Sequence, residues 1–435
     1  MAGRSIVTLL ASLVALGTMS SWAMADEPAT QPEPGKAANP AAKVVIGNTA
    51  FACDLYQKLS TDKGNLFLSP YSISTALAMT YAGARGDTAT QMAATLHFDQ
   101  PAEKLHGAFK SMADGLTGEA GKKAYELSVA NALWGQKGMT LQKEFVDLTA
   151  ANYGAGLRDV DFVGATEAAR TTINTWVEQQ THDKIKELIK PGILDNMTRL
   201  VLTNAIYFKG QWEKAFDKKA TSDAPFTLAV PADQKTPAPK VNVPLMYQKG
   251  KFNLYQTDGL QVLELLYKGG DLSMVLILPT EPQNRNATPM QLWRLEAYAD
   301  LEKSITPAQL DAWLKAARLQ EVQVYLPRFT VTKEFSLADT LKSLGMTDAF
   351  SGKADFSGMT GTKDLFISAV IHKAFVDVNE EGTEAAAATA VAVAAKNGHS
   401  TPTPTFRADH PFLFLIRDVR SGSVLFMGRL MDPKP

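Results

Sequence analysis

Residues 380–411 read EEGTEAAAATAVAVAAKNGHSTPTPTFRADHP, and the fold turns on how this stretch is understood. A strand-like run from Leu365 to Val378 leads into Glu380-Glu381-Gly382. After Glu384 only small side chains follow, up to Lys396. At period two, Thr383, Ala385, Ala387, Thr389, Val391, Val393 and Ala395 share one face, while Glu384 and the alanines at 386, 388, 390, 392 and 394 share the other. All the β-branched residues lie on the first face, the pattern of a strand with one side buried. The alanines also permit helix, and taken alone the segment reads equally as an alanine-rich linker. Side chains this short enter a narrow slot at little steric cost and lose little rotamer entropy when ordered.

Outward from this segment, helix and strand signals alternate. From Lys43 to Leu59 apolar residues recur at helical spacing, and Ser69-Pro70 opens a second helix with Ile73, Ala76, Leu77, Thr80 and Tyr81 on one face. Further helical patterns fall near 87–97, 102–113, 142–152 and 166–180. Leu200 to Phe208 is rich in β-branched and aromatic residues and predicts a strand. The proline-rich stretch 222–244 reads as an irregular connection with short edge strands. Strands are predicted over Gln261–Tyr267, Leu272–Leu278 and Glu321–Thr330, with a helical insert over 289–318. Phe412–Ile416 and Val424–Met427 form a closing hairpin around Arg420-Ser421-Gly422. There is neither an internal repeat nor an interior linker, so residues 42–435 read as one mixed α+β domain.

Hydrophobic residues make up 45% of the 435 and charged ones 20%, which allows a large packed core. A net charge of -1 argues against nucleic acid or an anionic membrane as general partner. Residues 1–25 read as a signal peptide: Arg4 is the positive start, Ile6 to Gly17 is apolar, and Ala23-Met24-Ala25 is the small-x-small site before Asp26. That apolar run is too short to span the membrane comfortably. Residues 26–41, rich in Pro and Ala, read as a flexible tether. A secreted or periplasmic location is the expectation. The single cysteine, Cys53, permits no intrachain disulfide, and its apolar neighbours make it a small buried residue.

The sequence holds no GxSxG elbow, HExxH zinc motif, Gly-rich phosphate loop or CxxC pair. None of its six histidines is spaced with a carboxylate or cysteine as metal ligands usually are, so no metal or cofactor is expected. A dispersed Ser-His-Asp triad would leave no such trace, and a secreted hydrolase stays open on these grounds.

The run Glu380-Glu381-Gly382-Thr383-Glu384-Ala385-Ala386-Ala387-Ala388-Thr389 resembles the hinge of inhibitory serpins, exported bacterial members included. Other motifs match in order. Asn65-Leu66-Phe67-Leu68-Ser69-Pro70-Tyr71-Ser72 resembles the start of the family's second helix. Leu202-Thr203-Asn204-Ala205-Ile206-Tyr207-Phe208-Lys209-Gly210-Gln211-Trp212 is similar to the third strand of its main sheet. His372-Lys373-Ala374 precedes the hinge by the family's spacing, and His410-Pro411-Phe412-Leu413-Phe414 and Leu425-Phe426-Met427-Gly428-Arg429 resemble its last strands.

The resemblance implies an α+β fold of three β-sheets, about nine helices and an exposed reactive loop over 380–411. It also implies irreversible inhibition of serine proteases, not enzyme activity. The protease attacks the loop and is held as an acyl-enzyme, and the cut loop inserts into the main sheet. The reactive bond falls at Lys396–Asn397, which favours trypsin-like targets. The stretch 397–409 is about four residues longer than usual, which leaves His399 or Ser400 open as the cut position. By position, Ser69, Ser72, Asn204 and His372 match a polar cluster that controls sheet opening, and Glu380, Arg328 and Trp212 match the top of the sheet. A monomer is expected. Lys104, Lys110, Lys122 and Lys123 are interspersed with Glu103, Asp114 and Glu119, which argues against a polyanion site. The competing reading is a non-inhibitory carrier or chaperone of the same fold. A bulky, charged or proline residue within 383–391 would favour it, and Glu384 alone is charged, on the outer face.

Overall fold

The structure, a computed structural model, describes residues 40–117, 123–154, 156–231, 237–281, 295–383 and 402–434. The chain opens with α1 (Pro40–Leu59), β1 (Leu66–Leu68), α2 (Pro70–Tyr81), α3 (Gly86–Leu96) and α4 (Ala102–Thr117). β2 (Tyr125–Gln136), α5 (Lys143–Tyr153), β3 (Leu157–Val160) and α6 (Thr166–Gln180) lead to β4 (Leu200–Gln211). Next come β5 (Ser222–Thr227), β6 (Lys240–Thr257), β7 (Leu260–Leu266), β8 (Leu272–Pro279), α7 (Leu295–Ser304) and α8 (Pro307–Ala316). β9 (Arg318–Pro327), β10 (Phe329–Ser336), α9 (Ala338–Ser343) and the single turn α10 (Ser357–Thr360) precede β11 (Ala369–Asn379) and the two-residue β12 (Gly382–Thr383). β13 (Thr405–Arg407), β14 (Phe412–Asp418) and β15 (Val424–Leu430) complete it. No described helix is long and apolar enough to cross a membrane.

Local chemistry explains several boundaries. Ser69 caps α2 by accepting the Ser72 N–H, and Pro70 fits the first turn, where its missing N–H is not needed. α1 opens at Pro40, so the last two residues of the expected tether belong to the helix. The expected signal peptide and the rest of the tether lie outside the described residues.

Among the described residues the strands form two connected sheets, the larger of which joins two of the three sheets expected. A nine-stranded sheet runs β1-β15-β14-β8-β7-β6-β9-β13, with β5 on β6. The joining element is β6, whose 18 residues pair in turn with β5, β9 and β7. Two smaller sheets thus share one strand.

The six-stranded sheet runs β10-β11-β12-β4-β2-β3. At its centre β11 and β4 lie parallel and directly paired, from Ala369↔Val201 to Phe375↔Tyr207. Above that seam β12 is wedged between them, antiparallel to both. One face of the seam rests on the main core. The other is covered by α6 and the stretch after it, through buried Ile173, Val177, Ile185, Leu188 and Ile189 against Val201, Ala205, Ala369 and Ile371. Each of the valine, leucine and isoleucine side chains contributes roughly 1.5–3 kcal/mol on burial, so lifting the cover is costly. His182, Asp183 and Glu187 in that stretch adopt φ of 49°, 60° and 48°, a conformation unfavourable for side-chain-bearing residues. Lys373 ties it to β11 by donating to the Lys186 carbonyl at 2.7 Å.

Candidate functional site

The first four residues of the expected loop are built into the sheet. Glu380, Glu381 and Thr383 are buried. The Glu380 carboxylate pairs with Arg328 and accepts from Thr221 Oγ1 at 2.7 Å. Burial alone would raise its pKa; the hydrogen bonds from Arg328 and Thr221 outweigh that and hold it below the usual glutamate value. Its carbonyl accepts the Phe216 N–H at 2.8 Å, and the Glu381 carbonyl accepts the Trp212 N–H at 2.9 Å. Trp212 Nε1 donates to the Asn379 carbonyl at 3.0 Å, and Lys218 sits 2.5 Å from the Glu381 carboxylate.

Gly382 has φ +153°, and a Cβ there would fall 2.0 Å from the Gly210 carbonyl oxygen. Only glycine fits. Thr383 then turns its side chain into the core, with Oγ1 2.8 Å from the Tyr267 hydroxyl. Tyr267 stacks on Trp212 with centroids 4.7 Å apart. Thr383 and the two glutamates before Gly382 are thus buried, although the resemblance implied an exposed loop over all of 380–411. The close fit at Gly382 and the bond to Tyr267 place Thr383 in the sheet of the uncut chain. The far end is anchored too: β13 pairs with β9, and Phe406, Ala408 and His410 are buried. The hinge residues Glu384, Ala385, Ala386, Ala387, Ala388 and Thr389, and the bond Lys396–Asn397, lie outside the described residues.

Lower in the seam a polar row crosses three strands. Asn131 of β2, Asn204 of β4 and His372 of β11 are in register, above the start of α2. The Ser69 N–H donates to His372 Nε2 at 3.1 Å, which leaves the ring proton on Nδ1, where it is donated to Asn204 Oδ1. Asn204 Nδ2 donates to Ser72 Oγ at 2.6 Å and to Asn131 Oδ1. Ser72 Oγ donates to Asn131 Oδ1 at 3.0 Å, and Asn131 returns a bond to the Ser72 carbonyl at 3.0 Å. Ser69 Oγ donates to the Leu425 carbonyl at 2.6 Å. Burial pushes the His372 pKa from 6.5 down to about 3, so the ring is neutral.

All four residues expected in this cluster are together, as are Glu380, Arg328 and Trp212 at the top. Asn131 and Tyr267 were missed. Neither lies in a motif; each is recruited by a partner distant in the chain. Among the described residues no group of His, Cys, Asp and Glu could hold a metal ion.

The model for a family described as "Serpin (serine protease inhibitor)" matches residues 46–433. Leukocyte elastase inhibitor of Homo sapiens is 46% identical over 400 residues, covering 89% of this chain and 98% of that protein. Uncleaved ovalbumin aligns with TM-score 0.77 at 30% identity, over 90% of this chain and 100% of that one. Serpin48, "a highly specific serpin in the insect Tenebrio molitor", aligns with TM-score 0.75 at 34% identity, over 90% and 98%. The human and insect relatives are not from the bacterial group expected from the sequence. The hinge wedged above a closed parallel seam, the polar row across it and the match over nearly the whole described chain lead to one statement: this protein belongs to the serpin family of serine protease inhibitors.

Proposed function

We propose that this serpin traps serine proteases irreversibly, its cut loop becoming a new strand between β11 and β4. The register of β12 carries this reading. Thr383 stands opposite Val378 on β11 and Gly210 on β4. Continued antiparallel down both ladders, Thr389 arrives beside His372 and Asn204, which are themselves partners across the seam. The two ladders agree on that level. Ala385, Ala387 and Val391 arrive beside Val376 and Phe208, Ala374 and Ile206, and Val370 and Leu202, all buried and apolar. The two threonines of this face meet Tyr267 and the His372–Asn204 pair, the polar groups of the track. The opposite face, Ala386 to Ala394, passes beneath the cover of α6, where only small side chains fit.

The protease's nucleophile attacks the Lys396 carbonyl, the Asn397 amine leaves, and the ester to Lys396 remains. From Thr383 to Lys396 an extended strand spans roughly 43 Å, which carries an attached protease far from the Trp212 end before hydrolysis finishes.

Lys396 supports trypsin-like targets, whose primary pocket holds a carboxylate. The name of the human relative favours elastase-type targets instead, and Val393, Ala394 and Ala395 suit a small primary pocket. Mixing the protein with trypsin and with elastase decides between them. A denaturant-resistant complex and a released peptide beginning at Asn397 support the first. A peptide beginning at Ala394, Ala395 or Lys396 with elastase supports the second. Cleavage by both with no complex at any ratio refutes the inhibitor reading and favours the carrier. Arg4, the apolar run Ile6–Gly17 and Ala23-Met24-Ala25 support export, which a mature amino terminus at Asp26 in the exported protein would test.

A further inference from the structure

We propose that Ser368 is a latch at the base of the seam, a positioning residue that must let go before the cut loop completes its insertion. The inference rests on the insertion reading above and locates the last obstacle to that movement. Ser368 directly precedes β11, and Arg199 directly precedes β4. The Ser368 N–H donates to the Leu200 carbonyl at 2.9 Å, and the Arg199 N–H donates to Ser368 Oγ at 3.1 Å. The first bond uses backbone alone, and any residue but proline would make it. The second needs the hydroxyl.

The two ends of the latch are fixed to different halves of the sheet. On one side the Gln136 N–H of β2 donates to the Arg199 carbonyl at 3.0 Å, and Gln136 Oε1 accepts the Phe162 N–H at 2.8 Å. On the other side Ile367 is buried, and its N–H donates to the Ala349 carbonyl at 2.9 Å. Parting β4 from β11 at the base therefore breaks the bond between Arg199 and Ser368. Side chains bridge the seam at its top, where Trp212 reaches the Asn379 carbonyl, at its middle, where His372 meets Asn204, and at its base through Ser368.

The register of β12 gives the base bridge its own role. β12 already parts the strands above Phe375 and Tyr207, so opening runs downward. Continued ten residues on, the same register brings Val393 opposite both Leu200 and Ser368, whose backbones are joined in the uncut chain. A strand that stops above the latch, at Ala392, leaves Val393 to Lys396 outside the sheet. Those four residues are roughly 13 Å of an attached protease's path. Ser368 thus governs the end of the travel, while Thr383 and the His372–Asn204 pair govern its earlier stages.

A probe at the base tests this. Met197 is 66% exposed and lies two residues before Arg199. Met197→Cys takes an environment-sensitive fluorophore, which buried Cys53 does not. Stopped-flow mixing of the labelled intact protein with trypsin, which cuts after Lys396, then follows arrival of the cut loop. In Ser368→Ala arrival should be about fivefold faster, the effect of one hydrogen bond lost from the closed seam. Ser368→Thr keeps the hydroxyl and should restore the natural rate. Ser368→Val has the shape of threonine without the hydroxyl and should match Ser368→Ala. In the uncut, unlabelled protein, hydrogen exchange at the Arg199 amide should quicken by a similar factor in the alanine and valine variants and stay slow in the threonine variant. Equal arrival in all four proteins overturns the latch, as does slower arrival in Ser368→Ala or a threonine variant as fast as valine. A rise in melting temperature on cutting without any probe signal stops the loop short of the base and overturns it too. Neither a rise nor a signal with Ser368 in place refutes insertion itself, and the latch with it; a rise with an unchanged rate in Ser368→Ala refutes the latch alone. The exchange measurement needs no label and decides where labelling disturbs the base.

Discussion

His372 and Asn204 are partners in the central parallel seam, and their side chains are joined by a hydrogen bond across it, between Nδ1–H and Oδ1. The bond requires a neutral imidazole. Nε2 must stay unprotonated to accept the Ser69 N–H, so a second proton would set donor against donor.

The first prediction concerns acid. The pKa of His372 falls from 6.5 to about 3 on folding. Between those values the unfolded chain binds a proton that the native chain excludes. The stabilising contribution is therefore complete above pH 6.5 and is lost as pH falls toward 3, at up to about 1.4 kcal/mol per pH unit. His106, lowered to about 4 by burial, adds the same sign over a narrower range. Denaturant unfolding at pH 7 and pH 5 should show a loss for the natural protein and a clearly smaller loss for His372→Gln. Equal losses would mean that His372 titrates normally.

The second concerns Asn131. Replacing it with alanine leaves Asn204 Nδ2 one acceptor short and Ser72 Oγ without its own. Stability should fall by about 1–3 kcal/mol in denaturant unfolding. A change within a few tenths would show that water substitutes freely there.

The third separates packing from polarity at Thr383. Thr383→Val keeps the shape and loses the bond to Tyr267, at about 1 kcal/mol, and should still trap protease. Thr383→Arg cannot remain buried there without a partner, so β12 should leave the sheet before any cut and trapping should fail while cleavage persists. Wild-type stoichiometry of complex for Thr383→Arg would refute insertion through this position.

The fourth concerns the cut chain. Cleavage within 384–401 by a protease that is not trapped should raise the melting temperature, because a completed strand adds ladder bonds and buries the Thr383–Ala395 face. Thr383 is buried already, so the gain comes from Ala385 to Ala395, and calorimetry before and after cleavage measures it. An unchanged or lower value would sink the insertion reading.

The face proposed to insert rests on period two, which needs no distant information: β-branched residues alternate with alanine from Thr389 to Ala394. Helix α2 was legible from Ser69-Pro70, whose capping chemistry is local. The union of the smaller sheets was not. The stretch 222–244 read as an irregular connection, yet β6 runs through Pro244 and past Gly250, because β9 pairs with it from Leu245 to Leu254 and the Pro244 carbonyl accepts from Arg328. Asn131 was hidden because β2 shows no clean alternation, with most of its first half only partly buried. Its role exists only once β4 and α2 surround it. The same holds for Tyr267, whose partner Thr383 is 116 residues away in the chain.

Cys53 is buried in α1, and burial pushes its thiol pKa up to about 12, so almost no thiolate forms near neutrality. With no second cysteine to pair with, the native state holds no bond that an oxidant makes or a reductant breaks. Redox conditions and folding are thereby uncoupled. No intrachain disulfide has to form on the way to the native state, whatever the redox potential of the surroundings.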